Sequence, residues 1–386
     1  MVRTVLAFVA LCCAVVFARA EVAVPITYLR QEVPPPPVLS NLDPIPEDLG
    51  VAGATVGLAD NLTTGGFLGH AYTLNISSVP EDGDLLEAAR QALATTKLMV
   101  VDAPADALVA IADLPEAAGA LLINVAAADA ALRDEACRAN VLHTVPSAAM
   151  RADAIVQFFV KRRWTDLAMI VGTHPSDAAF ADALRASAQK FGLSIDAEKT
   201  WAFDADMRRN AAQEVPVFTQ DLGDYDVLLV VDEINDFGRY IPFNTWLPRP
   251  VAGSEGVSPV AWSPVVEQWG AVQLQNRFEE AAGRKMAPKD YAAWAAVRAI
   301  GEAVTRTNQA EAGVLRGYLL SDRFELAGFK GRPLSFRTWN GQLRQPIPLV
   351  QPRALVALAP LEGFLHQNTE LDTLGRDGPE SRCTAF

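Results

Sequence analysis

The sequence predicts an α/β protein built as two doubly wound parallel-sheet lobes with a cleft between them. Three observations predict it. Short apolar, β-branched runs alternate with amphipathic helical stretches from residue 71 to residue 231, the rhythm of βαβ units around a parallel sheet. The alternation falls into two blocks of similar length. Helical stretches after residue 265 have no strands between them, so they must pack back on a sheet already built. The chain must therefore cross between lobes several times.

The elements follow in order. Residues 1–20 read as a secretory signal: Arg3, an apolar run over 5–17, and Ala18-Arg19-Ala20 at the cleavage spacing. The run is too short to span a bilayer, so export without membrane insertion is the expectation. Cys12 and Cys13 lie in the run, but Leu11 stands where a lipoprotein signal needs a small residue. Residues 24–29 read as a strand, and Pro34 to Pro37 with Pro44 and Pro46 as a stiff loop. Small and apolar residues at helical spacing fill 50–61, with Thr63-Thr-Gly-Gly66 as the stop. Strands are expected at 71–76, 97–101, 120–125 and 141–145, with helices at 84–95, 105–112 and 129–136.

The second block opens on a helix at 149–163, with Ile155, Phe158 and Phe159 on one face. Strands at 167–171, 194–202 and 227–231 alternate with helices at 177–191 and 211–219. A Pro- and Trp-rich stretch, 240–264, precedes helices at 265–282, 290–307 and 312–320. Strands at 334–337, 347–350 and 354–358 close the chain, and Asn340-Gly341 is a strong hairpin signal.

Composition narrows the function. With 33 Lys and Arg against 46 Asp and Glu, the net charge is −13 over 386 residues. No basic stripe interrupts it, which argues against nucleic acid or an anionic membrane as partner. There is no Gly-rich phosphate loop, no His-Glu-x-x-His and no Gly-x-Ser-x-Gly, so the reading is a non-enzyme without cofactor. Beyond the signal, only Cys137 and Cys383 remain. In an oxidising compartment they are a disulfide candidate; the other reading is two unrelated thiols.

Acids gather at strand ends. Asp226-Val-Leu-Leu-Val-Val-Asp-Glu-Ile-Asn-Asp236 is a buried strand followed at once by Asp232, Glu233 and Asp236. Asp102, Asp106 and Asp129 end or follow strands of the first block. In open parallel sheets, ligands bind beyond the carboxyl ends of the strands. Carboxylates there suit a cation, a cationic organic molecule or the hydroxyls of a polyol; Asp106, Asp129 and Asp236 equally suit helix N-caps. Trp262, with Trp246 and Tyr240, could line an apolar wall or fill a core. No spacing motif announces a metal site, and any ligand set for one is unknown.

Several stretches resemble one family. Leu58-Ala-Asp-Asn-Leu-Thr-Thr-Gly-Gly-Phe-Leu-Gly-His-Ala-Tyr-Thr-Leu74, His143-Thr-Val-Pro-Ser147 and Phe329-Lys-Gly-Arg-Pro-Leu-Ser-Phe336 are similar to segments of type I periplasmic substrate-binding proteins of the branched-chain amino-acid kind. Asp290-Tyr-Ala-Ala-Trp294, Gly328-Phe-Lys-Gly331, Gln342-Leu-Arg-Gln-Pro346, Gly363-Phe-Leu-His366 and Leu371-Asp-Thr-Leu-Gly375 look like the subgroup associated with pyrroloquinoline-quinone (PQQ)-dependent alcohol dehydrogenase systems. The resemblance implies a type I periplasmic binding protein fold with three hinge crossings. It implies a lobe of residues 21–143 plus 255–325 and a lobe of 144–254 plus 326–386. It also implies a periplasmic solute-binding role, a small ligand captured by lobe closure, the membrane subunits of an ABC transporter as partner, and a setting beside the dehydrogenase. A non-transport sensor or an accessory handling the dehydrogenase's cofactor or metal ion is the alternative, and a periplasmic enzyme a further one.

Ligand contacts follow from the same resemblance. His174 with Asp177 is similar to a ligand-contacting loop of the family, and Asp232 and Glu233 sit where a type I binding protein would place second-lobe ligand contacts. The first-lobe loops differ from the family: Asp102-Ala-Pro-Ala-Asp106 and Val125-Ala-Ala-Ala-Asp129 have alanines where hydroxyls hold an amino-acid carboxylate. An α-amino acid is therefore not the expected ligand.

Overall fold

The structure, a computed structural model, describes residues 21–33, 44–202 and 207–386. The signal-peptide reading and Pro34 to Pro37 lie outside the described residues.

The first lobe begins with β1 (Val22–Gln31), α1 (Val51–Leu68), β2 (His70–Val79), α2 (Leu85–Thr95), β3 (Leu98–Asp102), α3 (Ala105–Ala112), β4 (Leu121–Asn124) and β5 (Val141–His143). Its five strands are parallel in the order β2-β1-β3-β4-β5. β3 is buried along its whole length, because helices cover both faces of a parallel sheet and leave no polar side. The expected stop at residues 63–66 does not occur: α1 runs on to Leu68 and ends at Gly69 in the left-handed conformation. Tertiary contact overrides the weak helix propensity there. A Cβ on Gly65 would come within 2.6 Å of the Tyr72 ring, so the glycine lets helix and strand approach.

The second lobe opens on α4 (Ala148–Arg162), capped by the Ser147 hydroxyl, which accepts from the Met150 N–H. β6 (Asp166–Val171), α5 (Pro175–Lys190), β7 (Ser194–Thr200), α6 (Met207–Thr219), β8 (Val227–Val231) and β9 (Val251–Gly253) follow. The sheet is again parallel, in the order β7-β6-β8-β9. Residues 129–136 form only a short 3-10 turn, Ala130–Arg133, where a helix was expected.

After β10 (Ser258–Pro259) come α7 (Ala271–Ala282), α8 (Pro288–Thr307) and α9 (Ala312–Leu319). These helices pack back on the first sheet: Leu274, Phe278, Tyr291, Trp294 and Leu315 share one apolar core with Val24, Val100 and Ile123. Last are β11 (Leu326–Ala327), β12 (Pro333–Phe336), β13 (Leu343–Arg344), β14 (Ile347–Gln351) and β15 (Ala354–Ala359). The Asn340-Gly341 turn joins β12 to β13, and β14 pairs instead with β15.

The apolar cores fix the lobe boundaries. Leu142, Ala261, Trp262, Leu326, Leu334, Phe336 and Leu343 belong to the first core. Ala148, Val257, Ile347, Leu349, Ala359 and Leu374 belong to the second. The chain thus crosses after β5, after Val257 and between β13 and β14. Residues 326–344, expected in the second lobe, pack with the first, because β11 to β13 lie against the core that α8 and α9 complete.

The crossings touch one another. Gln342 donates its side-chain N–H to the carbonyls of His143 and Val145, and Gln345 donates to Thr144 at 2.7 Å. The tail adds a further tie. Cys383 is bonded to Cys137, as expected, with Cα atoms 5.7 Å apart, and Asp134 accepts from Arg376 and Arg382. Earlier in the tail, Gly375 donates to Asp153 of α4, in the second lobe. The tail therefore spans both lobes.

Candidate functional site

The first and second crossings leave from the carboxyl ends of β5 and β9. Both sheets therefore direct their strand ends at the cleft, where open α/β sheets bind ligands. At those ends of β6, β7 and β8 lies a cavity of about 180 Å³. Gly172, Thr173, His174 and Asp177 line one side of it, and Asp232 and Asp236 another. Trp201 and Phe237 form its apolar wall, stacked at 5.1 Å with planes 7° apart.

Local chemistry shapes that rim. His174 caps α5, its ring Nδ1 accepting from the Ser176 N–H. Asp177, buried in the first turn, accepts from the backbone N–H groups of His174 at 3.1 Å and Glu233 at 2.7 Å. A Cβ on residue 172 would come within 2.3 Å of the Asp177 carboxylate, so only glycine lets strand end and helix meet here. Burial pushes the Asp177 carboxyl up, its two N–H bonds pull the other way, and the Asp232 charge adds to the rise. Asp232 is buried too. It accepts from the N–H groups of Asp236, Phe237 and Gly238 at 2.9, 2.8 and 2.6 Å, which curls the loop after β8 and presents Phe237.

Glu233 turns away from the cavity lining to Arg151, which donates to both its oxygens at 2.5 and 3.0 Å, while Ser254 donates at 2.8 Å. Burial works to raise the Glu233 carboxyl, but the Arg151 charge and these bonds outweigh it and hold the group below its usual range.

The first-lobe acids do not join the cavity. Asp102 is buried and accepts from the Tyr28 hydroxyl at 3.0 Å and from Lys289 at 2.8 Å. Asp106 is exposed in the first turn of α3, and Asp129 is exposed at the start of the Ala130–Arg133 turn. Neither caps its helix through its side chain as an N-cap would. Trp262, expected as a candidate cleft wall, is a core residue: it stacks on Tyr291 at 4.9 Å and donates to Gln275. Trp246 is exposed on the second lobe. His143 is buried in the hinge beside Asn124, and burial followed by the Arg133 charge holds its imidazole well below the usual range.

The loop after β4 turns two of its backbone N–H groups inward. Asn124 folds its side-chain oxygen back to accept from the N–H groups of Ala126 and Ala127, at 3.1 and 3.0 Å. Among the described residues, no three His, Cys, Asp or Glu side chains gather to hold a metal ion, and no helix is long and apolar enough to cross a membrane. Sequence reasoning missed Trp201, Phe237, Arg151, Tyr28 and Lys289. Trp201 follows a strand end, which was the available signal. Arg151 and Lys289 sit on helices whose polar residues look like solvated faces until the tertiary fold supplies their partners.

No protein-family model and no curated protein matches the chain. Solved structures do. A branched-chain amino-acid ABC transporter periplasmic ligand-binding protein from Burkholderia xenovorans LB400 is similar with a TM-score of 0.72 at 14% identity, over 94% of this chain and 99% of that one. A leucine-, isoleucine-, valine-, threonine- and alanine-binding protein from Brucella ovis, in a closed conformation, gives 0.65 at 12%, over 89% and 93%. A solute-binding protein of an ABC transporter from R. palustris, in complex with benzoate, gives 0.63 at 11%, over 94% and 99%. The fold is that of type I periplasmic binding proteins.

Proposed function

We propose that the chain is a periplasmic solute-binding protein that captures a small ligand by closing its lobes and delivers it to the membrane subunits of an ABC transporter. The observation that carries this reading is the cavity at the carboxyl ends of β6, β7 and β8, the edge at which open α/β sheets bind ligands. A ligand seated there meets the first lobe only after closure, so binding shifts a hinge equilibrium toward the closed form. The type I fold supports the role, and so do its structural neighbours, which include binding proteins of ABC transporters.

The setting we assign is alcohol oxidation beside a PQQ-dependent dehydrogenase. Its support is the run of residues similar to that subgroup. Most of them build the hinge and tail. Asp290 accepts from Gly50 and Arg284, Lys330 donates to Gln345, Gln345 donates to the first crossing, and Asp372 pairs with Arg337 and Arg344. Such residues mark a shared architecture more than a shared ligand.

Native mass spectrometry of the freshly purified protein should find a retained small molecule. Small-angle scattering before and after its removal should show expansion on release. Identical scattering profiles with and without that molecule would sink the closure mechanism. Unchanged uptake of the molecule in cells lacking only this protein would assign it to a sensor in place of a transporter.

A further inference from the structure

Buried carboxylates normally carry a cationic partner, because an isolated charge out of water is costly. Asp102, Glu233, Asp153 and Asp372 all obey, with Lys289, Arg151, Lys190 and Arg337 respectively. Asp177 and Asp232 do not. Their oxygens meet only backbone N–H groups, and both line the second-lobe cavity. Asp236 adds a third carboxylate at the rim, and Glu255 a fourth close behind Asp232. Arg151 is occupied by Glu233; Arg239 bonds to Asn235, lies over the Tyr240 ring and sets its charge against Glu255, not against Asp177 or Asp232. His174 bonds to Ser176.

The opposite lobe points the same way. A ligand carboxylate needs N–H donors, and the loop after β4 has spent those of Ala126 and Ala127 on Asn124. Asp102, at the end of the neighbouring β3, already has Lys289 and Tyr28, and Asp129 in the loop itself is exposed to solvent.

We propose that the second-lobe cavity takes a small organic cation, a primary ammonium compound with no carboxylate of its own. Its ammonium donates to the unfilled acceptor positions of Asp177 and Asp232, and its carbon skeleton lies against Trp201 and Phe237. An organic cation fits better than a metal ion for two reasons. The wall is aromatic, and the cavity, about 180 Å³, exceeds the roughly 150 Å³ that suffices for benzene. The Asp177 carboxyl is raised by burial first and also by the Asp232 charge, both of which an arriving cation opposes.

The inference rests on the solute-binding reading, and one experiment separates the two. The mature protein is screened by thermal shift and calorimetry against three matched sets of small molecules: amines such as 4-aminobutan-1-ol, the isosteric diols, and the isosteric hydroxycarboxylates. The expected result is stabilisation by amines, with affinities at least ten-fold above those of the matched diols and carboxylates. Asp177→Asn should cost the best amine ten-fold or more. Asp236→Asn, at an exposed position whose carboxylate makes no bond within the described residues, should cost it two- to five-fold. Diols or carboxylates binding as tightly as the amines overturn the ligand class and leave solute binding intact. No stabilisation by any set, with no retained molecule in native mass spectrometry, overturns solute binding itself.

Discussion

Arg151 in the first turn of α4 donates to both carboxylate oxygens of Glu233, just beyond β8, and its Nε donates to the Pro259 carbonyl at 3.1 Å. One guanidinium thus fastens the helix that follows the first crossing to the strand end at the cavity rim and to the second crossing. The pair is a hinge-side brace.

Glu233→Gln removes the charge and keeps the shape, so it should cost about 1–3 kcal/mol of stability at pH 7. The folded-state carboxyl is held below its usual range, so its contribution is full above the unfolded pKa and is lost as pH falls through the folded one. Urea unfolding at pH 7 and at about pH 3 should therefore show the gap between wild type and variant closing on the acid side. A gap that widens with acid rules the brace out.

Asp372 is fully buried and accepts from Arg337 at 2.9 Å and Arg344 at 2.8 Å. Both arginines belong to the β12–β13 region of the first lobe, while Asp372 belongs to the tail. Asp372→Ala leaves the buried Arg337 guanidinium and the partly buried Arg344 without compensation, a loss of about 3–5 kcal/mol. Hydrogen exchange should show the protection of residues 370–376 collapsing before that of β12. Equal loss across the first lobe would mean the triad supports the core and not the tail.

The Cys137–Cys383 bond closes a loop spanning 246 positions of sequence. Replacing both residues with serine should lower stability by about 2–5 kcal/mol, mostly by freeing the unfolded chain. The single Cys383→Ser variant should behave alike, since the remaining Cys137 is buried in a loop. Thermal unfolding with and without reductant checks this: the wild type should fall toward the serine variant, and the variant should not move.

The parallel-sheet lobes were legible because β3 and β8 are too apolar to be anything but strands covered on both faces. The acids at their ends were legible as positions and not as roles. Asp102 and Glu233 look alike in sequence to Asp177 and Asp232. What separates them is whether a Lys or Arg some 80 to 190 positions away folds back to meet them, as Arg151 and Lys289 do. Trp262 was ambiguous for the same reason, since it lies in the loop before α7 and its partner Tyr291 on α8. The lobe boundary at residues 326–344 was misplaced because three short strands carry too little periodicity to declare which core they complete.

Lys330 is the last group whose role only the fold reveals. It is buried where β12 approaches the third crossing, and its ammonium donates to Gln345 at 2.6 Å and to the Pro346 carbonyl at 3.2 Å, with the Tyr291 ring 4.3 Å away. None of these partners is charged, and burial holds the amine well below its usual range. The unfolded chain then binds the proton more tightly than the folded one, so the lysine costs stability as pH falls below its unfolded pKa. Lys330→Met should gain on the wild type by up to about 1.4 kcal/mol for each pH unit lowered between the two pKa values. Denaturant unfolding of both proteins at pH 9, 8 and 7 measures the trend. A difference independent of pH would show that the amine is charged to the same extent in both states, and that the hinge tolerates it without strain.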